Sequence, residues 1–198
     1  MSIEERRERE RAARRQLIVA TARAVAEAEG WDAVTTRRLS TEIEYSQPVL
    51  YKHFSSMEQV ADAVALDGYA ELAEAIRAVG ATDGTAATVL SQIAYVYLNF
   101  ARDNPAVYDV MFTRSTLLRY ADEDTPPELS AAFAALSEAV AGVAGVADGQ
   151  AVDTLTEVFW AALHGMATLG ATGRLPRDRI ADRVRLLVDR FAAHPTPA

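Results

Sequence analysis

Residues 35–54 read TTRRLSTEIEYSQPVLYKHF, and this stretch decides the fold of the N-terminal part of the chain. A threonine at its start can cap a short helix that runs to about Ile43, and Ser46 can cap a second one. Pro48 then falls in the first turn, where proline is tolerated. Helices of about eight residues are not stable alone, so both must pack on a longer neighbour. Two short helices joined by a tight turn form a unit whose second helix can enter the major groove of DNA.

The side chains of this stretch divide into an inner and an outer set. The inner, apolar set that joins the two helices is Leu39, Ile43, Leu50 and Phe54. The outer face of the second helix shows Gln47, Lys52 and His53, with Tyr51 near its rim. Glutamine can pair with adenine through two hydrogen bonds, and lysine or tyrosine can reach phosphate. The pattern therefore predicts that the second helix reads DNA sequence.

A longer helix precedes this unit and ends at Gly30, a residue typical of helix C-termini. Its helical spacing predicts an apolar stripe formed by Leu17, Thr21, Ala24, Val25 and Ala28. Further towards the N-terminus, Glu5–Arg9 and Glu10–Arg14 are spaced as i,i+4 ion pairs. Two interpretations of this arm stay open: a solvated helix that pairs its own charges, or a helix that contacts DNA.

The whole segment resembles the DNA-binding domain of the TetR family of transcriptional regulators. The shared features are Thr35-Thr36-Arg37, Leu39, Gln47-Pro48, Leu50-Tyr51 and His53, with a helix before the unit and a long helix after it. The resemblance implies that six residues lie at the DNA: Thr36, Arg37, Gln47, Pro48, Tyr51 and His53. Lys52 joins them because of its charge and its position on the recognition helix.

The segment departs from the family pattern at three positions. Glu44 stands in the turn where the family usually has glycine, and a left-handed backbone there costs about 1–2 kcal/mol for any other residue. Val49 replaces the usual glycine or threonine, so it is expected to meet a thymine methyl group at the DNA. Met57 occupies a position where a phosphate-binding lysine is common, so one contact with the DNA backbone is expected to be weaker.

Charge and composition limit the class of protein. Residues 1–56 carry ten Lys/Arg and nine Asp/Glu, and residues 57–198 carry ten and nineteen, giving net charges of +1 and −9 within the total of −8. An acidic body discourages non-specific coating of DNA.

The chain has no cysteine, which excludes disulfides, thiolate catalysis and zinc–sulfur sites. With neither a signal-peptide pattern nor a long apolar run, a cytoplasmic protein is expected.

The remaining sequence has the helical period almost throughout, so the fold is expected to be all-α with about nine helices. A Ser-x-x-Glu capping box at Ser55–Glu58 opens a long helix to about residue 79. The other helices are predicted over residues 85–102, 104–114 (capped by Asn104-Pro105), 128–143, 149–171 and 176–193, with a loop at 121–127. The expected domains are a DNA-binding domain, residues 1–56, and an effector-binding and dimerisation domain, residues 57–198.

The last two helices carry the features of a dimer interface. Ile180, Val184, Leu187 and Phe191 are spaced 4, 3 and 4 apart, which is a coiled-coil-like seam. Small residues of the preceding helix, Ala161 and Gly165 among them, permit close helix approach. The resemblance implies that these helices pair in a four-helix homodimer bundle, which would bind a palindromic operator. The alternative is that the seam packs within one protomer.

Aromatic residues and methionine in the middle helices suggest an effector pocket. The candidate residues are Tyr69, Tyr97, Phe100, Tyr108, Met111, Phe112, Phe133, Trp160 and His164. Trp160, His164 and Gly165 resemble the Trp-x-x-x-His-Gly element of one TetR C-terminal subfamily. The same side chains would equally suit an ordinary core, or, for Trp160 and His164, a structural stack.

The sequence thus predicts a repressor that a small hydrophobic or aromatic effector releases from operator DNA. Two alternatives remain, a small all-helical enzyme and a DNA-binding protein without ligand response. The enzyme has little support, because the three histidines, His53, His164 and His194, lack metal-ligand spacing. Neither a phosphate-binding glycine loop nor a Gly-x-Ser-x-Gly element occurs. No catalytic residue, metal site or cofactor is expected.

Overall fold

The computed structural model describes residues 2–81, 83–114, 118, 125–144 and 148–192. Within these residues the chain forms nine α-helices and no strand, which confirms the all-α prediction. The helices are α1 (Ile3–Glu29), α2 (Thr36–Glu42), α3 (Gln47–Tyr51), α4 (Met57–Gly80), α5 (Ala86–Asp103), α6 (Pro105–Phe112), α7 (Pro127–Ala144), α8 (Gly149–Ala171) and α9 (Ile180–Ala192). Short 3₁₀ turns precede α2 and α9, at Trp31–Ala33 and Arg177–Arg179.

Some sequence-based expectations fall outside this part of the chain. They are His194, the end of the last helix at residue 193, and residues 121–124 of the expected loop. None of the described helices has the length and hydropathy of a membrane span.

The chain divides into two compact units, and each is discontinuous in sequence. The first unit consists of residues 1–68 with 104–124, and the second of residues 69–103 with 125–198. The units therefore do not follow the single cut expected after residue 56. The difference arises because α6, which comes late in the chain, packs on α1. The functional division at residue 56 stays a prediction.

Helix α1 supplies the core face of the first unit. Its buried residues are Ile18, Val19, Ala22, Val25 and Ala26. The predicted stripe was wrong except at Val25, and Leu17 is 43% exposed. The buried face of α1 includes the β-branched residues Ile18 and Val19. It is therefore rotated about the helix axis by about one residue from the predicted face. Gly30, with φ 85°, follows the last residue of the helix as expected.

Helices α2 and α3 form a pair, and α2 also packs on α1. The predicted inner residues Leu39, Ile43, Leu50 and Phe54 are all buried. Thr35 caps α2, since its hydroxyl accepts a hydrogen bond from the amide of Arg38 at 3.1 Å. Ser46 occupies the N-cap position of α3 but makes no side-chain cap bond.

The cap of α4 lies one residue later than predicted. The hydroxyl of Ser56, rather than Ser55, accepts from the amide of Gln59 at 3.3 Å. The side chain of Gln59 in turn accepts from the amide of Ser55 at 3.0 Å. Gln59 thus takes the reciprocal role that the sequence pattern gave to Glu58.

Helix α6 is fixed to α1 by a carboxylate. The two oxygens of Glu27 accept hydrogen bonds from the free amides of Ala106 and Val107, at 3.1 and 2.9 Å. These amides begin α6, where negative charge is favoured. Asn104 was predicted to cap α6, but its side chain makes no cap bond. Its carbonyl oxygen accepts instead from the guanidinium of Arg23 at 2.7 Å.

Two further contacts hold α6 in the first unit. The indole N–H of Trp31 donates to the carbonyl of Ala106 at 2.8 Å. On the other side, a Cβ added at Gly68 of α4 would lie 2.6 Å from Val107 and 2.7 Å from the sulfur of Met111. Only glycine permits this close approach.

The second unit is a bundle around α5, which packs on α7, α8 and α9. Fully buried side chains at its centre include Leu90, Ile93 and Tyr97 of α5, Val140 of α7, Phe159 and Leu163 of α8, and Val184 of α9. The hydroxyl of Thr156, also buried, donates to the carbonyl of Val152 four residues earlier, at 2.8 Å, which satisfies its polar group.

The turn between α2 and α3 contains a strained residue. Glu44 has φ 55° and is the one non-glycine residue with positive φ in the described part of the chain. This is the left-handed conformation that the family pattern of glycine implied. An L-residue here costs about 1–2 kcal/mol, partly offset by the backbone entropy that glycine would lose.

We expect Glu44→Gly to raise the free energy of unfolding by about 0.5–1 kcal/mol, because glycine adopts this conformation without strain. Urea unfolding with an unchanged m-value measures the difference. Glu44→Ala is the matched control, since it removes the same side chain and keeps the strain. A glycine variant no more stable than the alanine variant would contradict the account.

We expect Glu27→Ala to lower the free energy of unfolding by about 2 kcal/mol, because two amides of α6 lose a charged acceptor. Glu29→Ala is the control in the same helix: Glu29 is exposed and forms only a surface ion pair with Arg38. Its loss should cost less than about 1 kcal/mol. Equal losses in the two variants, measured by urea unfolding, would argue against Glu27 as the anchor of α6.

Candidate nucleic-acid interface

Helix α3 turns one side into the first unit and the other outward. Leu50 is buried, whereas Gln47, Pro48, Tyr51 and Lys52 are exposed. Val49 and His53 are half-buried beside them, and Arg37 and Thr36 of α2 are exposed and half-buried respectively. The residues predicted for DNA contact are thus accessible on two adjacent short helices. Their contact with DNA stays a prediction.

Tyr51 is a surface residue and is not part of the core. Its side chain is 54% exposed. Its hydroxyl lies 3.4 Å from the hydroxyl of Thr36, so a single weak hydrogen bond spans the two helices of the motif. A phosphate oxygen could accept from both hydroxyls here, as DNA-binding tyrosines and threonines do.

Helix α1 contacts the end of the recognition helix, a contact that was not predicted from the sequence. The guanidinium of Arg15 donates to the carbonyl of His53 at 3.2 Å. It also stacks over the ring of Phe54, with its carbon 4.0 Å from the ring centroid. A signal existed in the sequence, because Arg15 lies three residues before the buried Ile18 and so on nearly the same helix face.

The surroundings of His53 are cationic. Burial is the main cause that lowers the pKa of its imidazole, and the charges of Arg11, Arg14, Arg15 and Lys52 lower it further. The ring is therefore mostly neutral near pH 7, with one nitrogen that donates and one that accepts. An anion brought to this position would relieve the repulsion among the four cations.

The nine candidate effector residues fall into both units. Tyr108, Met111 and Phe112 belong to the first unit, where the rings of Tyr108 and Phe112 lie 4.8 Å apart. The other six belong to the second unit: Tyr69, Tyr97 and Phe100 are buried, and Phe133, Trp160 and His164 are half-buried.

Polar groups in the second unit converge on α8. The indole N–H of Trp160 bonds to the hydroxyl of Tyr97 at 3.0 Å. Burial lowers the pKa of His164, one turn further along α8. Its Nε2 lies 3.5 Å from the hydroxyl of Thr168. Trp160 and His164 thus combine apolar surface with hydrogen-bonding groups, as ligand sites do.

The predicted dimer seam is partly used within the protomer. Val184 is fully buried in the second unit. Phe191 packs edge-on against Phe159, with ring centroids 5.2 Å apart. The prediction is corrected at Val184, because packing on the protomer's own bundle leaves nothing of this side chain for a partner. Ile180 and Leu187 are half-buried.

A different set of apolar residues is exposed on the same two helices. Ala161 and Gly165, exposed and half-buried, share one face of α8 with Val158 and Leu169. Val158 is 56% and Leu169 41% exposed, and Leu186 of α9 is 57% exposed. These three could not be singled out from the sequence, since periodicity alone does not tell which of two apolar faces the bundle covers.

Comparisons with known proteins agree with this architecture. Residues 18–64 match the family model described as "Bacterial regulatory proteins, tetR family", and residues 90–191 match "Tetracyclin repressor-like, C-terminal domain". The chain is 31% identical over 160 residues to an uncharacterised HTH-type transcriptional regulator of Mycobacterium tuberculosis, covering 80% of this chain and 71% of that protein.

Two solved structures extend the likeness to the fold. A protein of unknown function from Rhodococcus sp. RHA1 has a TM-score of 0.74 and 26% identity, covering 90% of this chain and 93% of that one. The structure of BioQ with its natural double-stranded DNA operator has a TM-score of 0.64 and 21% identity, covering 91% and 98%. The chain therefore belongs to the tetR family of transcriptional regulators and carries its DNA-binding helix-turn-helix in the N-terminal region.

Proposed function

We propose that the protein is a repressor that binds a palindromic operator as a homodimer and leaves it when a small hydrophobic or aromatic effector binds. The observation that carries the DNA part is the outward face of α3. There Gln47, Tyr51 and Lys52 are exposed side by side, while Leu50 anchors the helix from behind.

We assign recognition of the DNA bases to Gln47, and we assign contact with the DNA backbone to Tyr51 and Lys52. The amide of glutamine can make two hydrogen bonds with adenine, whereas tyrosine and lysine bind phosphate without regard to sequence. Val49 is half-buried beside them and offers its methyl groups to a thymine. The relative solved with its operator has the same fold, which supports this assignment.

Selection of random duplexes at about 150 mM salt should enrich one palindrome, because two copies of α3 read two half-sites. Gln47→Ala with Tyr51→Ala should weaken binding to it about 100-fold or more, since each lost contact is worth about 1–3 kcal/mol. Gln150→Ala, an exposed change on α8, is the control and should bind as the wild type does. Enrichment of no sequence at any salt concentration would refute the proposal.

The homodimer is assigned to the exposed apolar residues of α8 and α9, which are Val158, Ala161, Gly165 and Leu169 of α8 and Leu186 of α9. Val158 and Leu169 lie on one face of α8 and Leu186 is exposed on α9, and large exposed apolar side chains mark interaction surfaces. Small residues at Ala161 and Gly165 allow a second helix to approach closely. A symmetric dimer through this face would present two recognition helices to the two halves of a palindrome.

We expect Leu186→Glu to weaken the dimer about 100-fold or more, because it buries an unpaired carboxylate between protomers. Sedimentation at micromolar concentration should then report the monomer mass. Ile3→Glu makes the same kind of change at another exposed apolar residue, 66% exposed on α1, and should leave the dimer intact. An unchanged mass for Leu186→Glu would place the interface elsewhere.

Effector binding is assigned to the second unit, around Tyr97, Trp160 and His164. An indole, a phenol and a neutral imidazole suit an aromatic ligand that has one or two polar atoms. Such a ligand acts only through different affinities for the DNA-competent and DNA-incompetent states. A thermal-shift screen of aromatic compounds separates this function from that of a regulator without ligand, because a bound effector raises Tm by mass action.

A further inference from the structure

The first four turns of α1 extend beyond the core that the rest of the helix covers. Every described residue from Ser2 to Leu17 is exposed. The helix is nevertheless well terminated: the hydroxyl of Ser2 accepts from the amide of Glu5 at 3.1 Å, and the carboxylate of Glu5 accepts from the amide of Ser2 at 2.8 Å. A capping box is thus built at the start of a segment that contains no buried residue.

Three arginines of this segment form a row. Arg7, Arg11 and Arg14 are spaced i, i+4 and i+7, so they share one face of the helix, which we name the arginine face. Within the described residues none of the three makes an ion pair. The expected pair between Glu10 and Arg14 does not form; Glu10 instead pairs with Arg6, one turn earlier, with Oε1 3.9 Å from Nε.

The arginine face points to the same side of α1 as the recognition helix. Arg15, at its edge, touches the carbonyl of His53 and the ring of Phe54. From there the helix rises about 1.5 Å per residue, so Arg11 lies about 6 Å and Arg7 about 12 Å further along the axis. The row therefore begins beside Lys52 and His53 and leads away from them. The lowered pKa of His53 agrees, since Arg11 and Arg14 contribute to it.

We infer that the arginine face binds the phosphate backbone of operator DNA flanking the base pairs that α3 reads. The inference rests on the proposed function. Guanidinium groups match phosphate in charge and in hydrogen-bond geometry, and the row continues the surface formed by Lys52 and His53. A regular row about 10 Å long, from Arg7 to Arg14, suits a regular line of phosphates. It contains no base-reading amide, so it adds affinity and no sequence preference.

The arm also carries four acidic residues, Glu4, Glu5, Glu8 and Glu10. Glu5 is used in the cap and Glu10 lies beside Arg6, while Glu4 and Glu8 remain near the arginine face. They keep the arm a weak DNA binder by itself. Its contribution follows docking of α3, which brings the flanking backbone within reach.

The test compares two double variants that remove equal charge from opposite faces of α1. Arg7→Gln with Arg11→Gln removes most of the arginine face, and Arg6→Gln with Arg9→Gln is the matched control. Each lost phosphate contact lowers the slope of log affinity against log salt by about 0.9. With two arms per dimer, the first variant should lower the slope by about 2–4, and the control by less than about 1. Both should select the wild-type palindrome.

Duplex length provides a second readout. On a duplex that ends at the palindrome, the first variant should bind as the wild type does, because the flanking phosphates are absent. On a duplex with about one added helical turn at each end, it should lose affinity at least tenfold.

Equal slopes for both variants, or equal losses on both duplexes, would overturn the inference and leave the proposed function intact. The variant could instead keep the wild-type salt slope and lose binding to anionic phospholipid vesicles. This result would assign the arginine face to a membrane and would also overturn the inference. A wild-type protein that selects no palindrome would refute the proposed function and the inference together.

Discussion

The position of the recognition helix depends on α1, because neither short helix can hold itself. Helices of seven and five residues fix many dihedral angles for few hydrogen bonds and would unfold in water. They persist since Leu39, Ile43, Leu50 and Phe54 bury their side chains in the core that α1 closes. The packing of these residues against α1 therefore determines the direction in which Gln47 and Tyr51 face.

The same helix has a second attachment at its other end. Arg15 holds the carbonyl of His53, and Glu27 holds the first amides of α6. The two residues are twelve positions apart, about 18 Å along the axis. The segment that α6 begins lies within the region that matches the C-terminal family model, residues 90–191. One rigid helix thus connects the DNA-reading motif to a segment that belongs, by sequence, to the C-terminal part of the family.

Local features of the fold could be predicted from sequence, whereas the choice of buried faces could not. Gly30 ended α1 and Thr35 capped α2 as expected, and α8 has the predicted bounds, because caps and breaks depend on neighbouring residues. The stripe on α1 and the role of Val184 were wrong, since both depend on distant partners. The side chain of Asn104 was predicted to cap α6 because it directly precedes the helix. In the fold, Glu27, far away in sequence, accepts the hydrogen bonds of the first amides of α6 instead. The outward residues of α3 could be predicted, because the position of the apolar Leu50 fixes which side of the helix faces inward. The contact of Arg15 with His53 joins residues far apart in sequence and could not be predicted.

The docking of α6 on α1 also determines the order in which the chain can fold during synthesis. The first unit lacks α6 until the ribosome has delivered residue 112, and residues 69–103, which belong to the other unit, emerge before it. Until then the carboxylate of Glu27 and the indole of Trp31 have no amide or carbonyl of α6 to bind. Contacts between segments so far apart in sequence slow folding and leave apolar surface uncovered in the meantime. The first unit is consequently completed only after part of its neighbour has emerged, and a nascent chain that stopped after α4 would lack the contacts that Glu27 and Trp31 make with α6.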